Sequence, residues 1–396
     1  MTTQTNLSTQ LTSAERRRGI AAAIACLTVV GACLGASMPF LALVLAGQGV
    51  PPAMIGLNSA IPSLAGLIAT PFIPKLMQHV PANRLVVVSL ILAAGAMIGC
   101  YLVPNYWAWF PLRAIIGATI TIAFVISEIW INALADEKTR GRIMGIYGAV
   151  LAIGFAAGPV VLFLAGSEGF LPFGLIAGLA LVACIPVLMA GDTAPGGEGH
   201  APSRSFAAFL TVAPTATLAA FVFGAVEQGV MNLLPIYGTR IGLTSQVAAL
   251  VLTAFAAGNI LCQIPLGILA DRMNRRLLLA ICGGLAGGII ALLPLVAGTL
   301  LVFPAIFVFG GMVTGLYSVG LTLLGQRFHG PDLASANSAF VMCYSIGALM
   351  GPPIGGAAMQ AWVPHGLPAS MAIFALGYMV LALWRWRTAR DNPAAG

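Results

Sequence analysis

The chain repeats itself at a constant offset of 193 residues, the separation of Gly31 from Gly224. Gly31-Ala32 returns as Gly224-Ala225, Met38 as Met231, Gly49 as Gly242, and Pro111 as Pro304. Gly117 and Thr121 return as Gly310 and Thr314; Gly154, Gly158 and Pro159 return as Gly347, Gly351 and Pro352. A single offset means that the two halves share one ladder of segments with almost no net gaps. The rungs are apolar runs, and about 20 such residues span a bilayer as a helix. Twelve runs can be traced, at 20–46, 53–78, 83–103, 107–133, 141–165, 169–190, 208–238, 245–270, 277–296, 300–326, 334–360 and 367–386. The pattern predicts an all-α integral membrane protein with twelve transmembrane helices in two pseudo-symmetric six-helix bundles. The bundles are expected at 1–190 and 205–396. A Gly- and Pro-rich polar tether, 191–204, joins them and reads as a cytoplasmic linker.

Composition agrees. The chain is 59% hydrophobic and 7% charged, and its mean hydropathy is +0.99, far from a soluble domain. The net charge of +7 invites a nucleic-acid reading, but the placement of the charges argues against such a partner. All of the 18 Lys and Arg except Arg113 and Arg240 fall where a cytoplasmic N-terminus puts the inside: near Arg16–Arg18, Lys75 and Arg84, Lys138 to Arg142, Arg204, Arg272 to Arg276, Arg327, and Arg385 to Arg390. That bias places both termini in the cytoplasm and the chain in a bacterial-type inner membrane. The stretch from Arg16 to Val30-Gly31-Ala32-Cys33 resembles a lipoprotein signal. Gly31-Ala32 belongs to the repeated core, however, so the segment is expected to stay as the first helix. Seven cysteines without CxxC spacing read as buried free thiols. Four scattered histidines predict no metal site.

Polar residues inside the apolar runs are few, and each has a cost to offset. Glu227 is the one carboxylate well inside the bilayer, and its repeat equivalent is Leu34. Gln228 and Asn232 lie near it at i, i+4 spacing, and Asn259 and Gln263 share that spacing in the eighth segment. Arg113 lies in the fourth segment, opposite Ile306 in the repeat. Counted from segment ends, Arg113 and Glu227 stand about 9 and 15 Å below the outer surface. Helical steps from Arg113 reach Gly117, Thr121, Phe124 and Glu128; the repeat offers Gly310, Thr314 and Tyr317. Two matched stripes are what a central cavity needs. Arg113, Glu227, Gln228, Asn232, Asn259, Gln263, Thr314 and Tyr317 are therefore the candidate substrate-binding or proton-coupling residues. No catalytic constellation is visible, so no enzyme is expected, and no cofactor beyond a proton.

Between the eighth and ninth segments runs Gly267-Ile-Leu-Ala-Asp271-Arg272-Met-Asn-Arg275-Arg276, whose acid and bases can form an ion-pair lock at the cytoplasmic face. The pattern resembles the cytoplasmic loop signature of the major facilitator superfamily. The first-half copy, Pro74-Lys75-Leu-Met-Gln78, sets Gln78 where the acid would stand. Gly145-x8-Gly154-x3-Gly158-Pro159 resembles that superfamily's antiporter-associated signature, with Leu162-Phe163 replacing the trailing glycine pair that Gly355-Gly356 keeps. Its physical role is close packing and a bend. Arg113-x-x-x-Gly117 matches the superfamily's fourth helix. Glu128, with Trp130 in the place of an interfacial anchor, precedes Arg140-Gly141-Arg142. The resemblance implies that Glu128, Arg140, Arg142, Asp271, Arg272, Arg275 and Arg276 form a cytoplasmic gate. Ser127-Glu-Ile-Trp-Ile-Asn132 and Leu324 to Asn337 are similar to the poorly characterised YcaD-like bacterial branch.

The resemblance implies a monomeric secondary active transporter that moves a small organic solute by alternating access. Amides, hydroxyls and Tyr317 favour a neutral or weakly anionic solute, partly aromatic, vitamin-like in the manner of riboflavin. A proton-coupled drug or metabolite exporter is the alternative reading. A non-transporting receptor or assembly factor on the same scaffold is the reading of another class. The partners expected are the solute and the lipid bilayer. The topology is testable by cysteine labelling of Cys-less variants carrying one thiol at Asn105 or Gly196. Asn105 is expected to react from outside and Gly196 from inside; a Gly196 thiol reached only from outside rejects the arrangement.

Overall fold

The computed structural model describes residues 12–135, 140–166, 168–191, 213–328 and 330–391. The helices are α1 (Ser13–Gly47), α2 (Pro52–His79), α3 (Ala82–Leu102), α4 (Trp109–Leu134), α5 (Arg140–Ala165) and α6 (Leu171–Ala190) in the first half. The second half holds α7 (Pro214–Arg240), α8 (Ser245–Arg272), α9 (Arg275–Val296), α10 (Val302–Arg327), α11 (Gly330–Ala361) and α12 (Gly366–Asp391). Among the described residues, eleven are long and apolar enough to cross a membrane; α5 contributes a shorter apolar stretch, Ala149–Ala165. Large side chains such as Leu164, Ile264, Leu295 and Ile373 are exposed. Such a surface suits lipid, where helices satisfy their own backbone bonds.

Local chemistry sets several boundaries. Asn274 caps α9, its side-chain oxygen accepting the N–H groups of Arg276 and Leu277 at 3.0 and 3.3 Å. Thr244 caps α8 through the Val247 N–H at 3.3 Å. Three helices are broken, which apolar length alone does not foretell. In α6 the helix runs to Val182 and resumes at Cys184. In α8 it runs to Leu261 and resumes at Gln263. Each break follows the residue four positions before a proline, Pro186 and Pro265, whose rings deny that carbonyl its N–H partner. In α2 a 3₁₀ turn at Thr70–Phe72, holding Pro71, interrupts the rod.

The repeat is visible in the packing. In the first half, a Cβ on Gly154 would overlap the Thr28 carbonyl oxygen; in the second, one on Gly347 would overlap that of Phe221. Gly117 meets the Pro62 backbone and Gly310 the Phe255 backbone. Gly31 faces the Leu151 oxygen and Gly224 the Tyr344 oxygen. All six partners obey the same offset of 193. Glycine permits these approaches because a helix without a side chain there lets a neighbouring backbone touch it.

By contacts the chain divides into two compact units, Met1–Ser37 with Ile61–Gly199, and Met38–Ala60 with His200–Gly396. In the first, Arg16 donates to the Leu134 carbonyl and fastens the start of α1 to the end of α4. In the second, Tyr378 of α12 donates to the Thr215 carbonyl of α7 at 2.9 Å. The second unit also takes in the end of α1 and the start of α2. There a Cβ on Gly56 would overlap the Pro352 oxygen, and one on Gly356 the Pro52 oxygen. The Ala53 N–H donates to the Gln360 side chain at 3.4 Å.

Glycine positions separate into two kinds, which a substitution pair can test. A Cβ on Gly258 of α8 would drive into the Phe307 carbonyl of α10, whereas one on Gly95 of α3 meets nothing within 4 Å. Gly258→Ala is expected to destabilise the folded protein by about 1–3 kcal/mol, read as a lower melting temperature. Gly95→Ala is expected to be neutral or stabilising, by up to about 1 kcal/mol. Equal melting temperatures for the two variants contradict the packing.

Candidate functional site

Glu227 stands at the midpoint of α7, with 13 helical residues on either side, about 20 Å from each end. It is half-buried and makes no ion pair with a basic residue of its unit among the described residues. Its partner is a phenol. Tyr344 of α11 donates its hydroxyl hydrogen to Glu227 Oε2 at 2.9 Å. Gln228, the next residue on α7, is buried beside it. One turn on, the Asn232 amide donates to the Gln228 carbonyl at 2.9 Å. Asn232 is 1% exposed, yet its Oδ1 has no partner.

Aromatic rings wall this cluster. Tyr317 of α10 lies 5.0 Å from Phe223, 5.1 Å from Phe340 and 6.1 Å from Tyr344, ring centre to ring centre. One turn before Tyr317 is Thr314, 2% exposed, with an unpartnered hydroxyl. Gly66 faces the Thr121 hydroxyl in the first half; the repeat register sets half-buried Asn259 opposite Thr314 in the second. Gln263 lies beyond the break in α8 and is exposed. Five of the sequence candidates, Glu227, Gln228, Asn232, Thr314 and Tyr317, thus lie on neighbouring turns of α7 and α10. A buried polar atom without a partner costs about 1–3 kcal/mol, and Asn232 Oδ1 and Thr314 Oγ1 are both of this kind. Tyr344 was missed from sequence. The signal was there, since Tyr344 breaks the repeat against Leu151 just as Glu227 does against Leu34.

Among its described residues, the first unit carries one buried charge. Arg113 is 2% exposed, and its Nε and Nη1 have no hydrogen-bond partner. It rises one turn after Trp109, whose indole N–H donates to the Val103 carbonyl at 3.1 Å. The stripe read from Arg113 behaves differently from the sequence expectation. Gly117 packs on the backbone of α2 at Pro62, and Gly310 on α8 at Phe255. Those small residues form helix contacts rather than a cavity wall, because a missing side chain draws in a neighbouring backbone.

At the charged junction between α8 and α9 an acid and a base stand one helical turn apart. Arg275 Nη2 lies 3.6 Å from Asp271 Oδ1, but that carboxylate side chain is 79% exposed and the arginine's 15%. Arg275 spends its other donors on the Ala270 carbonyl at 3.1 Å and the Thr322 carbonyl at 3.4 Å. Arg276 donates to the Arg385 carbonyl at 3.4 Å, and Arg272 is exposed. Arg275 at the start of α9 thus ties the end of α8 to α10, and Arg276 ties α9 to α12. Glu128 is half-buried near the end of α4; Trp130 is 0% exposed, a core residue rather than an interfacial anchor. The side chains of Asn132, Arg140 and Arg142 lie outside the described residues. All seven cysteines are free thiols, and no group of three metal-ligating side chains occurs among the described residues.

Comparison with known proteins sets this geometry in context. The sequence model of the Major Facilitator Superfamily matches residues 23–250 and 216–396. The chain is 27% identical over 347 residues to the uncharacterized MFS-type transporter YfkF of Bacillus subtilis (strain 168), covering 85% of this chain and 87% of that one. It is 25% identical over 370 residues to YcaD of Salmonella typhimurium, an uncharacterized MFS-type transporter, covering 93% and 94%. Two solved structures share the fold. A bacterial homolog of the human lysosomal transporter Spinster, in an inward-facing and occupied conformation, aligns with a TM-score of 0.81 at 14% identity over 97% of this chain and 99% of that one. The nucleoside transporter NupG aligns with a TM-score of 0.68 at 14% identity over 94% and 98%.

The junction geometry makes a stability prediction. Asp271→Asn removes one exposed ion pair and is expected to change stability by at most about 1 kcal/mol. Arg275→Ala removes charge-assisted hydrogen bonds to two carbonyls, that of Ala270 near the end of α8 and that of Thr322 within α10, and is expected to cost about 1–3 kcal/mol. Thermal unfolding in one detergent checks the order; an equal or reversed effect contradicts the carbonyl-fastening role.

Proposed function

Because the chain belongs to the major facilitator superfamily, a multi-pass membrane transporter of the YcaD-like branch and not an enzyme, we propose that it is a secondary active transporter. Its cargo is a small organic solute, neutral or weakly anionic and partly aromatic, of the vitamin-like size of riboflavin. It works by alternating access in a bacterial inner membrane, with both termini cytoplasmic. The observation that carries this reading is the cluster on α7, α10 and α11. A carboxylate accepts a hydrogen bond from a phenol at the middle of a membrane helix, next to a buried amide side chain. Beside them are two buried polar atoms without protein partners, Asn232 Oδ1 and Thr314 Oγ1. Tyr317, Phe223 and Phe340 supply faces for a flat ring. Folding alone leaves these donors and acceptors unspent; a solute would use them.

A thermal-shift screen of the purified protein against metabolites and vitamins, riboflavin included, is the test. A solute present at about one hundred times its dissociation constant adds about 2.7 kcal/mol to stability. Hits are then carried into vesicles for flux measurement. Thr314→Val separates binding from folding. The hydroxyl has no protein partner, so its loss is expected to leave the unliganded melting temperature unchanged or raise it. Affinity for the hit is expected to fall about tenfold, or about 1.4 kcal/mol. Unaltered affinity in this variant removes Thr314 from the site, and absence of flux for every stabilising compound rejects the transport reading.

A further inference from the structure

In each half one side chain fastens the third helix to the sixth. In the first half the Asn83 amide, at the start of α3, donates to the Gly191 carbonyl at the end of α6 at 3.2 Å. In the second, Arg276 at the start of α9 donates to the Arg385 carbonyl of α12 at 3.4 Å. Asn83 and Arg276 stand at the offset of 193. A neutral amide therefore suffices for the fastening, and the charge of Arg276 serves something else. Beyond this point the halves part. α6 stops at Ala190, the equivalent of Leu383, whereas α12 runs on to Asp391. The stretch from Trp384 to Asp391 adds about 12 Å of helix and reads Trp-Arg-Trp-Arg-Thr-Ala-Arg-Asp. A helix that has left the membrane for water has no use for two tryptophans, and one still in hydrocarbon does not carry three arginines. The level of the lipid headgroups suits both, since indoles settle there and arginine reaches the phosphates.

We propose that the end of α12, with the start of α9, is a binding site for an anionic phospholipid, whose phosphate is held by Arg385 and Arg387 and whose acyl chain lies along α12. Ile373, Val380 and Trp384 are exposed, and their spacing of seven and then four residues puts them on one face of that helix. Arg387, also exposed, follows one turn after Trp384 on the same face. The Arg385 guanidinium lies over the indole, 5.7 Å from its ring centre. Two guanidinium groups thus flank an exposed indole at the head of an apolar stripe. Each guanidinium presents a planar fork of N–H donors that matches phosphate oxygens. A free phosphate would use the forks and leave the stripe; a lipid uses both. Charge selects the headgroup. Asp271, Arg272, Arg275 and Arg276 at the junction of α8 and α9, with Arg385, Arg387, Arg390 and Asp391 on α12, set six arginines against two aspartates. An anionic headgroup offsets that excess and a zwitterionic one does not. The site belongs to the second half alone, because Arg276, Arg385 and Arg387 have Asn83, Asp192 and Ala194 as their equivalents. It needs the membrane fold and is independent of what the protein transports.

Native mass spectrometry of the full chain in a neutral detergent, with phosphatidylglycerol or phosphatidylcholine of the same acyl chains added, counts bound lipid. Phosphatidylglycerol is expected to bind at least about fivefold more tightly than phosphatidylcholine. Arg385→Gln with Arg387→Gln is expected to weaken phosphatidylglycerol about fivefold for each charge removed and to leave phosphatidylcholine unchanged. Arg385→Lys with Arg387→Lys retains the charge and is expected to retain the preference. Arg276→Asn copies the first half: it is expected to melt near the wild type, because an amide still fastens the helices, yet to lose about fivefold in phosphatidylglycerol. Arg240→Gln, at the far end of α7, is expected to bind both lipids as the wild type does, and millimolar inorganic phosphate is expected to leave phosphatidylglycerol in place. Equal binding of the two lipids overturns the proposal, as does wild-type phosphatidylglycerol binding in the double Gln variant. Displacement by inorganic phosphate also overturns it, because the site is then one for a soluble anion. A loss in Arg240→Gln as large as that for one arginine of the site overturns it too, since net charge and not this cluster then decides.

Discussion

Backbone touching backbone is the interaction on which the rest of this structure depends. In a bilayer the lipid tails are as apolar as leucine, so helices gain little from hiding apolar side chains from lipid and much from close packing. Here that packing is delivered by glycines on α1, α4, α5, α7, α10 and α11, each set against a carbonyl or Cα of its neighbour. Such a crossing has almost no slack, and it fixes which side chains on the flanking turns can meet. Gly224 sets the place of Tyr344, which in turn sets the place of the phenol on Glu227. The chemistry at the centre of α7 is positioned by an atom that glycine does not have.

Duplication supplied this frame twice, and divergence then gave each half its own polar group. The first keeps Arg113, with Ile306 as its apolar counterpart; the second keeps Glu227 and Tyr344, with Leu34 and Leu151 as theirs. Positions that hold the helices together stayed alike. Change fell on side chains one turn from the crossing glycines, as at Glu227 and Arg113, and on the side chain of the residue whose backbone the glycine meets, as at Tyr344. This explains why the shared residues are mostly Gly and Pro, while the charged ones break the pattern.

The helices were legible because apolar length and a single offset are both strong, redundant signals. The breaks in α6 and α8 were less so. Pro186 and Pro265 coincide with breaks, yet Pro159 and Pro235 sit inside unbroken helices, and which outcome follows depends on neighbours that a linear reading does not supply. Glu227 was legible by depth. Tyr344 was not, since a tyrosine in an apolar run is ordinary until its partner is known. Gly117 and Gly310 were assigned to a cavity stripe by angular position, whereas their small size sends them into helix contacts. Asp271 was read into a lock by motif; the motif does not foretell that Arg275 also bonds the Ala270 and Thr322 carbonyls.

The approach of α2 to α11 has a mechanical character of its own. Gly56 lies on the Pro352 carbonyl and Gly356 on that of Pro52, with no charged side chain in either contact. Dispersion holds such a surface, and a gap of about 0.5–1 Å already forfeits a quarter to a half of the attraction. The contact therefore behaves as a latch rather than a spring: it resists until it has opened by a fraction of an ångström and then offers almost nothing. With no ions in it, screening by salt leaves its strength nearly untouched.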